Sequence, residues 1–324
     1  MERNTVLSIG TFDGVHIGHR AIIARAREIA GPGRVVALAF DPHPATQLRP
    51  GDAPPRLTTF EDKARLLREA GADEVVHLEP TGERLALTAD EFIARLVDEH
   101  RPTAIVEGGD FHFGRSRSGN VSTLRDLGAS LGFRVEVVPP VLVDLEDQLM
   151  AKASSSLVRW LLRHGRVRDA ARVLGRDYEL EGEVVPGDRR GRTIGFPTAN
   201  LSTPCMPPAH GIYAGRCRLP DSSEHPCAVS VGTRPTFDGQ DRRVEVFILL
   251  PQGRRAGDAG GAIPGLPEYA WRLRVAFDAY LRDEARFGSA DALVDQMRRD
   301  CARVGQFVRG LNEARRVGKA AACR

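Results

Sequence analysis

Cysteine is the first shortage. The five in the chain, Cys205, Cys217, Cys227, Cys301 and Cys323, form no Cys-x-x-Cys pair, and their odd number does not close into a disulfide framework. That spacing gives no zinc site either. Charge of one sign is lacking too. Lys and Arg number 46 against 43 Asp and Glu, and a net charge of +3 is too small to argue for a nucleic-acid partner. No run of about 18 apolar residues occurs, and the chain enters a strand-like segment without a signal-peptide pattern. The expectation is therefore a cytoplasmic protein that meets small molecules, with no membrane partner. Whether it forms a weak homo-oligomer stays open.

What is present is an ordinary globular composition, 42% hydrophobic and 27% charged, over 324 residues. That length favours two domains. The first half alternates strand and helix signals. Strands are expected at Val6–Ile9, Val35–Phe40, Glu74–Leu78, Ala104–Glu107 and Arg134–Val138. Thr58-x-x-Glu61 and Thr88-x-x-Glu91 read as capping boxes before amphipathic helices, and Gly71 and Gly132 stand where helices should end. Strands separated by helices of 10–15 residues imply βαβ units and a parallel, doubly wound sheet, with its ligand off the carboxyl ends of the strands. Helices are expected at Ser156–Arg163 and Val167–Leu174. After Gly175 the pattern becomes short strands and Gly/Pro turns: Tyr178–Val185, Gly211–Leu219, Ala228–Val231, Val244–Leu250 and Trp271–Phe277. This reads as a small antiparallel barrel or sandwich, closed by a helix from Ala290 to Leu311. The expected domains are 1–176 and 177–311, with 312–324 a frayed tail.

Four segments carry chemistry. Gly10-Thr11-Phe12-Asp13-Gly14-Val15-His16-Ile17-Gly18-His19 follows the first strand and opens a helix. Backbone N–H groups and the helix dipole would converge there on a phosphate, with His16 and His19 adding imidazole donors. It ends neither as a P-loop nor as Gly-x-Gly-x-x-Gly. Asp110-Phe111-His112-Phe113-Gly114 and the arginines behind it suit an aromatic ring and its phosphates, or else form a plain basic loop. Ser154-Ser155-Ser156 with Arg159 one turn on reads as a helix cap and equally as a phosphate clamp. Gly187 to Asn200 interleaves glycines with Arg189, Arg190 and Arg192, a loop able to wrap a polyphosphate, and Thr198 and Asn200 offer the oxygen ligands that Mg²⁺ accepts. Glu245, a lone acid in an apolar strand, reads from alternation alone as solvent-facing.

In this order the motifs resemble the bifunctional bacterial riboflavin kinase/FMN adenylyltransferase (FAD synthetase) family, from about Val6 to Arg303. Phe40-Asp41-Pro42-His43-Pro44, Gly195-Phe196-Pro197-Thr198-Ala199-Asn200, Val231 to Phe237 and Arg282 to Phe287 support the likeness. It implies a Rossmann-like nucleotidyltransferase domain, then a six-stranded riboflavin-kinase barrel. Riboflavin would become FMN in the second and FMN would become FAD in the first, with ATP as co-substrate and Mg²⁺ as cofactor. The likeness makes His16, His19 and Arg159 catalytic for adenylyl transfer, and Gly10, Phe12, Asp13, Gly14, Gly18 and Ser154–Ser156 the ATP site. Asp110, Phe111, Phe113, Arg282 and Phe287 would bind flavin. Gly182, Gly187, Arg189, Gly191 and Pro197 would hold the kinase nucleotide, Thr198 and Asn200 the metal, and Glu245 would be the base for the ribityl hydroxyl.

This chain departs from the family pattern at Phe247, where His is common, and in a long Gly/Pro-rich segment from Pro251 to Pro267. Pro186 and Ala153 also replace more usual residues. Two alternatives stay open: an FMN adenylyltransferase with a weak or analogue-specialised kinase half, and a flavin-binding regulatory protein without turnover. The intact set His16, His19, Thr198, Asn200 and Glu245 favours an enzyme.

Overall fold

A computed structural model describes residues 4–187, 190–236, 239–250, 263 and 265–322. By backbone contacts the chain divides into two compact units, Met1–Val158 with Val173–Gly175, and Arg159–Arg172 with Arg176–Arg324.

The first unit is a five-stranded parallel sheet. Its strands are β1 (Thr5–Gly10), β2 (Arg34–Phe40), β3 (Glu74–Leu78), β4 (Ala104–Gly108) and β5 (Arg134–Val138), in the order β3-β2-β1-β4-β5. The run Val35-Val36-Ala37-Leu38-Ala39 is buried at every position, as a strand covered on both faces must be. Alternate residues feed two cores. Val6, Ala37 and Val106 pack with Ile23 and Ala26 of α1 (Ile17–Ala30) and Leu67 of α2 (Phe60–Glu69). Leu7, Leu38 and Ile105 pack with Phe92 and Ile93 of α3 (Ala89–His100) and Leu124 of α4 (Val121–Leu131). The strand order reverses between β1 and β4, the point where such sheets bind ligands.

Thr88 and Glu91 form the expected capping box on α3, and Gly132 closes α4 in the left-handed region at φ 83°. The other cap lies one residue later than its sequence implies. Thr59 caps α2 through the Asp62 amide, because Thr58 is drawn off to Asp13 and Gly14. Gly71 follows the C-cap, which is Ala70. A hairpin of Leu142–Asp144 and Met150–Lys152, not anticipated from sequence, precedes α5 (Ser155–Arg163).

Helix α6 (Val167–Leu174) is as expected, and in the second unit the strands close into a barrel rather than a sandwich. Its strands are β6 (Tyr178–Val185), β7 (Ala199–Ser202), β8 (Gly211–Arg218), β9 (Glu224–Thr236), β10 (Gly239–Ile248) and β11 (Arg272–Arg282), ordered β6-β7-β10-β9-β8-β11 and back to β6. Strand β7 is not among the sequence expectations, and β9, β10 and β11 run past their apolar centres. Every second residue fills the interior: Cys227, Val229 and Val231 on β9, Val244, Val246 and Ile248 on β10. The final helix, α7 (Ala290–Ala322), continues through most of the segment expected to fray, and Val304 and Val308 pack against Ala214 and Ala279 on the outside of the barrel.

Candidate active sites

In the first unit the turn after β1 is pulled into shape by buried contacts. Phe12 and Val15 sit at φ 46° and 40°, a region rarely taken by side-chain-bearing residues, and both are fully buried. Gly14, at φ 80°, comes so close to Leu57 that a Cβ would lie 2.9 Å from its methyl group. The Asp13 carboxylate accepts the amides of Leu57 and Thr58 at 3.1 Å. The Ser155 hydroxyl donates to the Asp13 carbonyl at 2.7 Å, tying the start of α5 to the same turn. Asp13 and Ser155 therefore shape this wall.

His16 is the N-cap of α1. Its Nδ1 accepts the amides of Gly18 (3.1 Å) and His19 (3.4 Å), so two of the backbone donors expected to meet a phosphate are already engaged. The ring proton of a neutral His16 then belongs on Nε2. The His16 and His19 rings stack with centroids 3.7 Å apart. An anion here meets imidazole edges in place of those two amides.

These rings line a cavity of about 970 Å³. Gly10, Phe12, Gly18, Ser154, Asp110, Phe111 and Phe113 share its wall, which gathers most of the expected residues. Phe111 and Phe113 stack at 5.3 Å. Gly14, Ser156 and the structurally engaged Asp13 and Ser155 are not on that wall, and Arg159, buried, lies in the second unit. The Lys152 ammonium, 2.8 Å from Asp110, holds its carboxyl below the usual range. His43, Arg49, Arg84, Arg115 and Arg117 also line the cavity, a cationic wall suited to two phosphorylated ligands. Arg49 and Arg84 come from separate segments, so no local motif announces them.

One acid faces the same cavity. Glu107, 3% exposed, accepts the Ile9 amide at 2.5 Å, and burial pushes its carboxyl well above the usual range, with Asp110 adding to the effect. It was missed as a site residue; its only signal was an acid ending the apolar run Ala104-Ile105-Val106.

In the second unit Val244 and Val246 point into the barrel, so Glu245 and Phe247 point outward. Register places Asn200, Glu245 and Ser230 side by side on β7, β10 and β9. The Thr198 hydroxyl donates to Glu245 Oε2 at 3.1 Å, and the Arg243 guanidinium lies 3.4 Å from Oε1. A cavity of about 640 Å³ is walled by Gly191, Thr198, Glu245, Phe247, Arg282 and Phe287, among others. Phe247 packs on Phe196 with centroids 5.1 Å apart, giving this wall an apolar face. Arg282 is held by both carboxylate oxygens of Asp300 on α7, at 2.6–3.1 Å, and lies 5.9 Å from the Phe287 ring centroid.

Asn200 Oδ1 is buried without a hydrogen-bond partner among the described residues, and Gly187 leaves the space beside it, since a Cβ there would meet Asn200 at 2.1 Å. An unsatisfied amide oxygen near a threonine hydroxyl is a donor set that fits a hard cation. Gly182 has a structural reason of its own, because a Cβ would collide with the Ser202 carbonyl at 2.0 Å. Pro197 lines a small void of about 40 Å³ next to Thr198, and Arg189 lies outside the described residues.

The comparisons with known proteins divide the chain in the same sense. The FAD synthetase family model matches residues 1–153, and the riboflavin kinase model matches residues 174–308, including Phe247 and the segment after it. The bifunctional riboflavin kinase/FMN adenylyltransferase of Escherichia coli K12 is 34% identical over 304 residues, covering 92% of this chain and 91% of its own. That of Pseudomonas fluorescens is 35% identical over 306 residues, covering 93% and 92%. A crystal structure titled as a macrolide-efflux protein from Streptococcus pneumoniae superposes with a TM-score of 0.78 at 30% identity, covering 93% of both chains. With both family models matched in sequence and such relatives aligned over nearly their whole length, the chain belongs to the bifunctional riboflavin kinase/FMN adenylyltransferase family.

Proposed function

We propose that the chain makes FAD in two ATP-dependent steps, phosphorylating riboflavin at the barrel and adenylylating FMN at the parallel sheet. The observation that carries this reading is the pair of cavities, one in each unit, each walled by that unit's motif residues. We assign residues 1–176 to adenylyl transfer and 177–311 to the kinase, and read the enzyme as cytoplasmic, where ATP is supplied.

In adenylyl transfer an FMN phosphate oxygen attacks the α-phosphorus of ATP, a P–O bond forms, the α–β bridge breaks and pyrophosphate leaves. No protein nucleophile is required, so the site's work is to align two anions and neutralise charge on the leaving group. We assign this to His19 and the Nε2 edge of His16, a reading that the His16 cap and the stacked rings support. Phe111 and Phe113 offer a ring platform for the flavin.

In the kinase step Glu245 takes the proton of the ribityl 5′-hydroxyl as that oxygen attacks the γ-phosphorus and ADP leaves. Thr198 fixes the carboxylate, and Arg243 keeps the other oxygen in place. Thr198 and Asn200 would hold Mg²⁺, which supplies charge neutralisation on the nucleotide phosphates. Arg282 and Phe287 bound the flavin side.

The test is to incubate the protein with riboflavin, ATP and Mg²⁺ and resolve the flavins by chromatography. FMN should appear first and FAD after it. FAD from supplied FMN with no FMN from riboflavin would remove the kinase half, and no product from either substrate would remove the enzyme.

A further inference from the structure

The ladder between β1 and β4 runs only through Val6–Ala104 and Leu7–Ile105. Beyond it a side chain takes over. The Ile9 amide goes to Glu107 Oε1 at 2.5 Å, and the Ser8 hydroxyl lies 3.5 Å from the same oxygen. Glu107 thus fills the crevice at the reversal of strand order. It is 3% exposed, yet it borders the 970 Å³ cavity. Oε1 has its partners, whereas Oε2 has none among the described residues. A carboxyl serving only to join two strands needs no place on a cavity wall, whereas an oxygen there without a protein partner is open to a ligand.

Its position indicates what that oxygen meets. Ile9, the residue it bonds, leads through Gly10 into the turn that carries the two histidines. Alternation puts Glu107 on the Ile105 face of β4, whose core cluster holds Phe113, the partner of Phe111. The carboxyl thus shares the cavity wall with the phosphate-receiving turn and the aromatic pair. In ATP and in FMN alike, what lies between phosphate and ring is a hydroxylated sugar chain. Burial and the neighbouring Asp110 favour a neutral acid there, which donates through one oxygen and accepts through the other, as a hydroxyl does in return. Ionic phosphates already have the cationic wall.

We infer that Glu107 is a substrate-binding residue that holds a sugar hydroxyl, of the ATP ribose or of the FMN ribityl chain, through its Oε2. The inference rests on the FMN adenylyltransferase reading of this cavity.

The test is steady-state FMN adenylylation by the full chain and by Glu107→Leu and Glu107→Gln, with ATP, 2′-deoxy-ATP, 3′-deoxy-ATP and FMN varied in turn. Glu107→Leu should raise one KM roughly tenfold, the scale of one hydrogen bond. Glu107→Gln, whose amide can donate in the same place, should rescue it. If the ribose is held, the wild-type preference for ATP over one deoxy analogue vanishes in Glu107→Leu while the FMN KM stays put. If the ribityl chain is held, the FMN KM rises and that preference survives. Should Glu107→Leu fail to fold, Glu107→Asp, which withdraws the carboxyl by a methylene, is read in the same way. A folded variant with both KM values and the deoxy preference unchanged would overturn the inference and leave the function standing. A wild-type protein that makes no FAD would defeat the function itself.

Discussion

At residue scale, buried charge separates structural roles from chemical ones. Lys63, its side chain 3% exposed, donates to Asp41 and to the Phe40 carbonyl at 3.0 Å, fixing the bend that carries His43 to the cavity. Among the described residues, Lys63→Met would leave the Asp41 carboxylate with Arg56 alone, 2.9 Å away. Removing one partner of a buried pair costs about 3–5 kcal/mol, and Arg56 places this case at the low end. A urea midpoint shift checks it. Glu107 behaves in the opposite sense. The unfolded chain ionises this carboxyl above about pH 4.3, whereas burial keeps it protonated to higher pH in the folded protein. Through that window the folded state binds more protons, so stability falls as pH rises, by up to about 1.4 kcal/mol per unit. Glu107→Gln removes this slope, and its stability relative to wild type should grow with pH until the folded carboxyl ionises. A pH-independent difference would contradict the burial account.

At the scale of elements, legibility followed periodicity. The five strands of the parallel sheet are apolar runs bounded by turn residues, and β3 and β5 have the bounds the sequence implies. Strand β7 escaped notice because it is four residues long and leaves the Gly-Phe-Pro-Thr loop with one buried leucine, Leu201. The Thr58 cap failed for a tertiary reason, since no local pattern shows that Asp13, 45 positions away, claims that threonine. The sites divide similarly. Motif residues on one turn, such as His16 and His19, are legible together, while Arg49, Arg84 and Glu107 converge only when the sheet forms. The segment after β11 depends on a contact of this kind, the grip of Asp300 on Arg282. Asp300→Asn replaces an ionic clamp with a neutral one. The riboflavin KM should rise about tenfold, the loss expected when a charged hydrogen bond weakens, with FAD formation from supplied FMN unaffected.

At the scale of the whole molecule, the two proposed active sites fall on separate units of one chain. Among the described residues, Cys205, Cys217, Cys227 and Cys301 are free thiols and no helix is long and apolar enough to cross a membrane. Each unit rests on its own core, one in two layers about a sheet and one inside a barrel. A lesion in one site should then leave the other working. The most direct measurement mixes two variants, His19→Ala and Glu245→Gln, with riboflavin, ATP and Mg²⁺. Alone, His19→Ala should stop at FMN, and Glu245→Gln should phosphorylate riboflavin roughly 10²–10⁴-fold more slowly, as general-base variants do. Together they should produce FAD, with FMN passing through solution. If His19→Ala abolished riboflavin phosphorylation as well, or the mixture made no FAD while each variant remained folded, the two-site account would be contradicted.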